Sequence, residues 1–370
     1  MKAPFQSYSL TIEILSPVHI GSGESVDPYS FTLRNNNNHH WLIALDLPKL
    51  YSSLNGSQRA RYYELLDRAD IPQLREWVDR HANSDHYLFA VQIPELILYN
   101  ELKESIANPE RKVEVELFTR RPDNGMPYIP GSSIKGAIRT ALVDYWLDDQ
   151  QNNRRLLSLV NDPRPNGQIF EAHALGYFKN NRIDLYHDPF RQLAISDASL
   201  PDDACYIDSV KIIRKLNSTR GTAPDPRGIK MYRDMTWSAM EGETIQTQTQ
   251  CRLFQPEVKQ QCNLPQAIDI KTICQACNTY YQPEIERQMQ EYTPRDEYHV
   301  WKPLLQASSD LAENQCVIRV GRHSHYECVV LSKPFNRRPH KGAGATRSYA
   351  HGRLPFGWMR LTFTPDSHHR

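Results

Sequence analysis

One stretch of the chain, from Tyr128 to Leu142, restricts the possible folds more than any other. A short apolar segment ends at Pro130 and Gly131, and apolar residues then recur at the three- and four-residue spacing of an amphipathic helix. Ser132 or Ser133 is expected to cap this helix at its N-terminus. The sequence therefore predicts a short strand, a sharp turn and a helix whose apolar face lies in the core.

The beginning of this predicted helix has the properties of an anion site. The N–H groups of a first helical turn have no partner within the helix and attract negative charge. Lys135 and Arg139 lie one turn apart, so both are expected on one flank of the helix. Gly131 lets the backbone approach a partner closely, because it has no side chain. These features are typical of a phosphate-binding segment; an ordinary loop-to-helix joint with two solvated cations is the alternative.

The order of the predicted elements indicates an α+β fold in two units. At 370 residues the chain exceeds the usual size of one domain. Before residue 128 we expect a strand, a hairpin, helices between residues 46 and 81, and strands near 87–91 and 113–118, which fits helices over an antiparallel sheet. A polar region at 151–168 indicates a domain change. The second half repeats this character, with a helix over 267–292 that Pro283 should kink or split.

The charges are balanced overall but unevenly distributed. There are 44 Lys and Arg side chains against 43 Asp and Glu, which is not the composition of a uniformly cationic nucleic-acid binder. Between residues 317 and 363, however, Glu327 is the single acidic residue among many cations, which include Arg322 and Arg347. Locally basic segments on a neutral chain suit a subunit that contacts a polyanion on one side and protein on another.

Neither a membrane segment nor a disulfide framework is indicated. No apolar run is long enough to span a bilayer, and the N-terminus leads into a strand-like segment without a signal-peptide pattern, so a cytoplasmic location is expected. The seven cysteines are odd in number and unevenly spaced. Cys274 and Cys277 form a CxxC, but Cys251 and Cys262 are too far apart to supply a second close pair for zinc. We expect buried thiols on a helix, without metal or cofactor.

Three islands of sequence carry a family resemblance. They are the loop from Ser16 to Gly23, the segment from Tyr128 to Arg139, and a terminal glycine element at Gly321. In this order they resemble the repeat-associated mysterious protein (RAMP) superfamily of CRISPR effector complexes. The stretches 188–197, 230–234 and 354–358 resemble, within it, the fifth-subunit family of type III-A (Csm) complexes.

The resemblance implies a fold and a role. It implies two tandem ferredoxin-like (RRM-type, RAMP) domains with helical insertions, which we place at residues 1–160 and 161–370. It also implies a subunit without an active site that caps the backbone of the complex at the 3′ side of the crRNA and serves assembly and crRNA maturation. The implied partners are crRNA and neighbouring backbone subunits, with target RNA and host trimming nucleases as further candidates, and no membrane.

The resemblance and the local chemistry together give a set of expected RNA-binding residues. They are His19, Gly21, Gly23, Gly131, Ser132, Ser133, Lys135, Arg139, Arg322 and Arg347. The first three form a polar, glycine-containing loop, for which a simple hairpin connection is the alternative. The terminal element departs from the family pattern, because His325 stands where a second glycine is usual. RNA contact there is therefore expected from Arg322 and the histidines.

Two other functions stay open at this point. One is a RAMP-superfamily endoribonuclease that processes crRNA or target RNA with a histidine or Asp27 as the proton-transfer group. Asp27 precedes a proline, however, and Asp-Pro is a common turn opening. The other is a zinc-stabilised interaction protein centred on Cys274 and Cys277. Asp197, which follows a predicted strand, is expected to cap a turn.

Overall fold

A computed structural model describes residues 5–26, 29–37, 39–108, 114–147, 153–160, 167–215, 231–254, 267–324, 328 and 346–366. The helices in these ranges are α1 (Leu47–Ser53), α2 (Gly56–Asp67), α3 (Ile71–His81), α4 (Leu96–Ala107), α5 (Gly131–Leu147), α6 (Arg154–Val160), α7 (Gly167–Ala174), α8 (Ile270–Tyr292) and α9 (Lys302–Ser309). The strands are β1 (Phe5–Ile14), β2 (Gly21–Val26), β3 (Phe31–Asn36), β4 (His39–Leu45), β5 (Tyr87–Ile93), β6 (Val115–Phe118), β7 (Tyr128–Ile129), β8 (Phe178–Lys179), β9 (Arg182–Ile183), β10 (Leu193–Ile195), β11 (Ala198–Ser199), β12 (Cys205–Arg214), β13 (Met231–Thr236), β14 (Gln246–Phe254), β15 (Gln315–Arg319), β16 (Thr346–Ala350), β17 (Leu354–Pro355) and β18 (Trp358–Pro365).

The first large sheet is antiparallel and has the strand order β10-β14-β1-β18-β15. Its central strand, β1, alternates as a strand with one covered face should, and Leu10, Ile12 and Ile14 are fully buried. α5 and α8 pack against each other, and both contact β15. The predicted helix at residue 131 therefore lies over this sheet.

The second large sheet has the order β2-β6-β13-β12-β5-β4-β3. β16 pairs with the second half of β12, from Val210 to Arg214, and β17 pairs with β16. The contacts of β5 with β12 and of β6 with β13 are parallel, whereas the other pairs are antiparallel. This order places β6 between β13 and β2, the strand into which the N-terminal loop leads.

Both large sheets combine strands from either side of residue 160. The first joins β1 to four strands of the second half, and the second joins β2 to β6 with β12, β13, β16 and β17. A mixed fold of helices and mainly antiparallel sheet is thus confirmed. The division at residue 160, and the tandem ferredoxin-like arrangement, stay predictions.

The helices before residue 82 form a small unit with its own apolar cluster. Leu50, Leu65, Leu74, Trp77 and Val78 are buried together there, as the helical periodicity predicts. Asn55 and Gln58 form a reciprocal capping box that fixes the start of α2.

Pro283 does not split its helix, which was one of the two expected outcomes. α8 runs without interruption from Ile270 to Tyr292. Tyr281 before the proline and Ile285 after it are both buried, so packing on both sides holds the helix together despite the lost backbone hydrogen bond.

In the ranges that the structure describes, no helix has the length and apolarity needed to cross a membrane.

Candidate nucleic-acid interface

The start of α5 packs against the end of β10. The N–H of Gly131 donates to Oδ1 of Asp197 at 2.8 Å, and a Cβ at Gly131 would come closer than 3.0 Å to backbone atoms of Ile195 and Ser196. The helix begins at Gly131, so the prediction that a serine caps it is wrong. Asp197, expected to cap a local turn, instead caps this helix across the fold. The close partner of Gly131 is therefore the protein's own backbone.

The N-terminal loop is divided into a buried part and an exposed part. His19 is 1% exposed, and its Nδ1 lies 2.8 Å from the carbonyl oxygen of Asp234. Burial lowers the pKa of His19 to about 4, so the ring is neutral at pH 7. Gly21 and Gly23 are exposed, and Gly23 has a φ of +86° with no atom within 4 Å of a Cβ placed on it. The expected contact of His19 with RNA is thus at odds with its burial, whereas the two glycines are accessible.

The terminal glycine element lies directly on this loop. Gly321 has a φ of +87°, and a Cβ there would collide with the carbonyl oxygen of His19. The backbone N–H of Arg322 donates to the same oxygen at 3.1 Å. The glycine is therefore needed for contact between the two loops. His325 lies outside the described residues.

Together with α5, the two loops enclose a cleft of about 540 Å³. Most of the residues around it are small or polar. They are Ile20, Gly21, Gly23, Ser133, Gly136, Ala137, Thr140, Tyr281, Arg319, Val320, Gly321, Arg322, Ser324 and Cys328. The structure therefore brings together four of the expected RNA-binding residues, Gly21, Gly23, Ser133 and Arg322.

Titratable side chains from four segments meet at one side of the cleft. Glu116 on β6 accepts from Arg322 at 2.8 Å and from Arg233 at 2.8 Å, and its Oε2 lies 3.8 Å from Nε2 of His19. The side chain of Arg322 is nevertheless 57% exposed, so it is accessible to a ligand. Arg319, at the end of β15, is 4% exposed. Among the described residues that line the cleft, Arg319 and Arg322 are thus the charged ones.

Lys135 and Arg139 share a flank of α5, as predicted, but not the flank that faces the cleft. Ser133, Gly136 and Thr140 form the cleft face, and with 3.6 residues per turn Lys135 and Arg139 point well away from it. Lys135 is half-buried. Burial lowers its pKa, which the nearby carboxylate of Asp188 opposes.

Arg139 is held by the protein itself. Nη1 donates to Oδ2 of Asp188 at 2.9 Å, Nη2 donates to the Tyr177 hydroxyl at 2.9 Å, and the guanidinium also pairs with Glu171. It lies 4.5 Å over the ring of Phe190. The Asp188–Phe190 motif therefore anchors α5. RNA contact by Lys135 or Arg139 stays a prediction that this geometry does not favour.

Arg347 is also placed away from the cleft. It is 2% exposed, its guanidinium lies 4.4 Å from the centre of the Tyr292 ring, and Nη1 donates to the carbonyl oxygen of Thr346 at 2.8 Å. The sequence suggested an accessible cation in a basic loop. Its position in β16, beside β12, instead places it in the interior, so we leave it out of the interface.

Sequence reasoning missed two residues that shape this region. Asp234 is fully buried and accepts two hydrogen bonds from Arg120, at 2.8 and 3.1 Å, while its carbonyl oxygen holds His19. Burial raises the pKa of Asp234, and the ion pair with Arg120 opposes that change. Arg319 belongs to the basic region between residues 317 and 363, but its place in the cleft was not predicted. The Arg-Asp pair at 233–234 and an arginine two residues before Gly321 are the sequence signals that could have identified the two residues.

The cysteines of the CxxC are buried on α8. Cys274 and Cys277 are each at most 2% exposed, and a hydrogen bond with Cys316 and then burial raise the pKa of the Cys274 thiol. A raised pKa disfavours the thiolate that a metal requires. Among the residues described, no cluster of three or more His, Cys, Asp or Glu side chains has the geometry of a metal site.

Comparison with known proteins identifies the family. The model of the RAMP superfamily matches residues 11–301. The chain belongs to the RAMP superfamily. Within this superfamily it is similar to the CRISPR system Cms protein Csm5 of Methanocaldococcus jannaschii, with 29% identity over 198 residues, 50% of this chain and 41% of that protein.

Other members of the superfamily give the same result. The Csm5 protein of Streptococcus thermophilus is 28% identical over 149 residues, 39% of this chain and 40% of that protein. The Csm5 protein of Mycobacterium tuberculosis is 23% identical over 251 residues, 63% of this chain and 64% of that protein. The matches therefore span between about two fifths and just under two thirds of these relatives.

Two solved structures share the fold. A chain of a Csm–crRNA–target RNA ternary complex from a type III-A CRISPR-Cas system, determined by cryo-electron microscopy, superimposes with a TM-score of 0.70 at 17% identity, covering 96% of this chain and 100% of that one. The crystal structure of Csm5 from T. onnurineus gives a TM-score of 0.59 at 17% identity, covering 94% and 99%. At this identity the likeness establishes a common RAMP fold.

Proposed function

We propose that the protein is a crRNA-binding structural subunit of a type III-A CRISPR interference complex. In this role it caps the backbone of the complex at the 3′ side of the crRNA and is needed for complex assembly, crRNA maturation and antiviral defence. Its partners are crRNA and the neighbouring backbone subunits, with target RNA and trimming nucleases as further partners. The Csm5 relatives and the fold shared with a chain of a Csm–crRNA–target RNA complex support this proposal.

The observation that carries the proposal is the cleft between the two loops and α5. Its glycines and its short hydroxyl side chains leave room for a sugar–phosphate backbone to come close, and Arg322 and Arg319 supply positive charge. The described part of its lining contains no base-reading set of exposed aromatic side chains. Binding of this kind depends on phosphates and is independent of sequence, which suits a guide RNA whose sequence is read by base pairing.

A catalytic role is not favoured by the histidines near the cleft. His19 and His323 are both buried, with ring centres 6.1 Å apart. Burial lowers the pKa of His323 to about 3, as it lowers that of His19 to about 4. General acid catalysis needs a group that is protonated near neutral pH and within reach of the substrate. Asp27 lies outside the described residues. We therefore propose that the subunit holds RNA without cutting it.

The test is binding of a labelled crRNA precursor to the purified chain, with Arg322→Gln as the variant. Loss of one accessible phosphate contact should weaken binding about 3- to 10-fold and lower the slope of log K against log[salt] by about 0.7, for any RNA sequence. Arg360→Gln removes the same charge on β18, where Arg360 pairs with Glu13, and serves as the matched control.

Two results would contradict the proposal. If the chain does not bind the precursor, or if Arg322→Gln and Arg360→Gln reduce binding equally, the cleft is not the RNA site. Defined cuts in the precursor that persist in Arg360→Gln but vanish in His19→Ala would establish the endoribonuclease instead.

A further inference from the structure

Arg319 is a buried cation at the end of β15, on the wall of the cleft. It is 4% exposed, and none of the described Asp or Glu residues forms an ion pair with it. Nε donates to the carbonyl oxygen of Phe356 at 2.9 Å, and the guanidinium lies 5.0 Å from the centre of the Trp358 ring. The described titratable groups near it are Tyr281, His323, Cys328 and Tyr349, and none of them is a carboxylate.

Two other buried arginines of this region have acidic partners. Arg120 donates to Asp234 at 2.8 Å, and Arg233 donates to Glu116 at 2.8 Å, with side chains that are 8% and 5% exposed. An ion that is removed from water without a counter-ion is strongly disfavoured, so buried charges in proteins are almost always paired. Arg319 departs from that rule within the same group of strands.

Part of the Arg319 guanidinium lacks a strong acceptor. Nη2 is enclosed and makes no hydrogen bond with any described residue, and Nη1 contacts only Sγ of Cys328, at 3.8 Å. A thiol is a weak acceptor. Cys328 and Arg319 both line the cleft. An anion in the cleft can therefore reach the guanidinium from the side of Nη1, where no strong acceptor is displaced.

We propose that Arg319 holds a backbone phosphate of RNA deep in the cleft, while the exposed Arg322 contacts a phosphate at the rim. This inference rests on the proposed function, and it assigns an RNA phosphate as the anion that pairs with Arg319. The neighbouring positions suit a phosphate: Gly136 has open space where a Cβ would be, and Ser133 lies on the same wall. A guanidinium donates more than one hydrogen bond to a phosphate and retains its charge when buried.

The unpaired charge gives the proposal a distinctive test. If the charge of Arg319 stabilises the fold, its removal should destabilise the RNA-free protein. If the charge serves to bind a ligand, its removal should not destabilise the RNA-free protein. Arg319→Gln removes the charge and retains an N–H donor for the Phe356 carbonyl. We expect its melting temperature in the absence of RNA to equal or exceed that of the unaltered chain, while affinity for a short single-stranded RNA of mixed sequence falls about 10- to 100-fold.

Three variants provide the controls. Arg120→Gln should lower the melting temperature, because it leaves the buried carboxylate of Asp234 unpaired. Arg360→Gln removes one charge outside the cleft and should leave RNA affinity nearly unchanged. Arg319→Lys retains the charge without the planar fork, and its affinity should lie between those of the unaltered chain and Arg319→Gln.

The outcomes separate this inference from the proposed function. If the unaltered chain binds the RNA and Arg319→Gln binds as tightly as Arg360→Gln, the phosphate contact of Arg319 is refuted and the RNA-binding function stands. If Arg319→Gln melts as early as Arg120→Gln, the residue is structural and the inference is likewise refuted. If the unaltered chain binds no RNA, the proposed function fails first and this inference fails with it.

Discussion

At the scale of single residues, the expected RNA-binding residues occupy very different positions. Gly21, Ser133 and Arg322 line the cleft, whereas His19 and Arg347 are in the interior. The local sequence around His19 is polar and rich in glycine. Its burial depends on the carbonyl oxygen of Asp234, 215 positions away, which a reading of local sequence does not reveal.

A second charged cluster lies away from the cleft, at the turn between β16 and β17. Nδ1 of His351 is 2.6 Å from Oδ2 of Asp208, and Nε2 is 3.0 Å from the Tyr206 hydroxyl, which donates to Glu241 at 2.6 Å. Burial opposes the charged ring, but the hydrogen bonds and charges of the two carboxylates outweigh it and raise the pKa of His351 to about 9. The turn is thus joined to β12 by a protonated histidine.

This arrangement predicts a pH dependence of stability. The pKa of His351 is higher in the folded chain than in the unfolded one, so its contribution is complete below about pH 6.5 and is lost as the pH rises through about 9. That contribution is on the order of 2–3 kcal/mol in the free energy of unfolding. His351→Asn removes the titration, and asparagine tolerates the φ of 54° found there.

Urea unfolding at several pH values provides the measurement. The difference in unfolding free energy between the unaltered chain and His351→Asn should be largest near pH 6 and should nearly disappear by pH 10. An equal difference at both ends of this range would show that the charge on His351 contributes nothing.

At the scale of elements, α5 is positioned by its first residue. Gly131→Ala places a methyl group against the backbone of Ile195, which cannot yield as a side chain would. We expect a loss of roughly 1–3 kcal/mol in unfolding free energy. Gly136→Ala is the matched control on the same helix, because its Cβ would meet no atom within 4 Å and should add about 0.5–1 kcal/mol.

The check is chemical unfolding of both variants, followed by RNA binding. Equal stabilities for the two variants would mean that α5 and β10 are not in the close contact described. Gly136→Ala should also weaken RNA binding, because its methyl group enters the cleft without disturbing the fold.

The sequence predicted the periodicity of α5 well but not the contacts that the helix makes. Its apolar period and the shared flank of Lys135 and Arg139 were correct, because periodicity is a local property. Its start was not, because Asp197, which holds it, comes from another part of the chain. Asp188 and Glu171 pair with Arg139 from other parts of the chain as well, so a motif can be located from sequence while the partners of its faces stay unknown.

At the scale of the whole molecule, the two halves are joined by shared sheets. Strands were predicted near most of their observed positions, for example at 193–195, but their pairing was not. Alternation predicts which face of a strand is covered and says nothing about its neighbour. Hence the expected mixture of helix and antiparallel sheet is confirmed, while the crossing of residue 160 by both sheets was not foreseen.

Shared sheets predict a single unfolding transition. Neither half can lose its strands without breaking a sheet of the other, so far-UV and near-UV circular dichroism should report the same urea midpoint. Two separated midpoints would instead support independent domains at residues 1–160 and 161–370. Arg360→Gln, which removes an ion pair between β18 and β1 of the first sheet, should move both signals together.

The position of β1 between β14 and β18 also bears on how the chain is made. Ser16 and Trp358, which a hydrogen bond joins, are separated by 342 positions. At about 5–20 residues per second, a ribosome needs on the order of 20–70 s to produce the second after the first. During that time the nascent protein carries an apolar strand with an unpaired edge, so β1 must be kept from pairing with other polypeptides until translation of the last strand is complete.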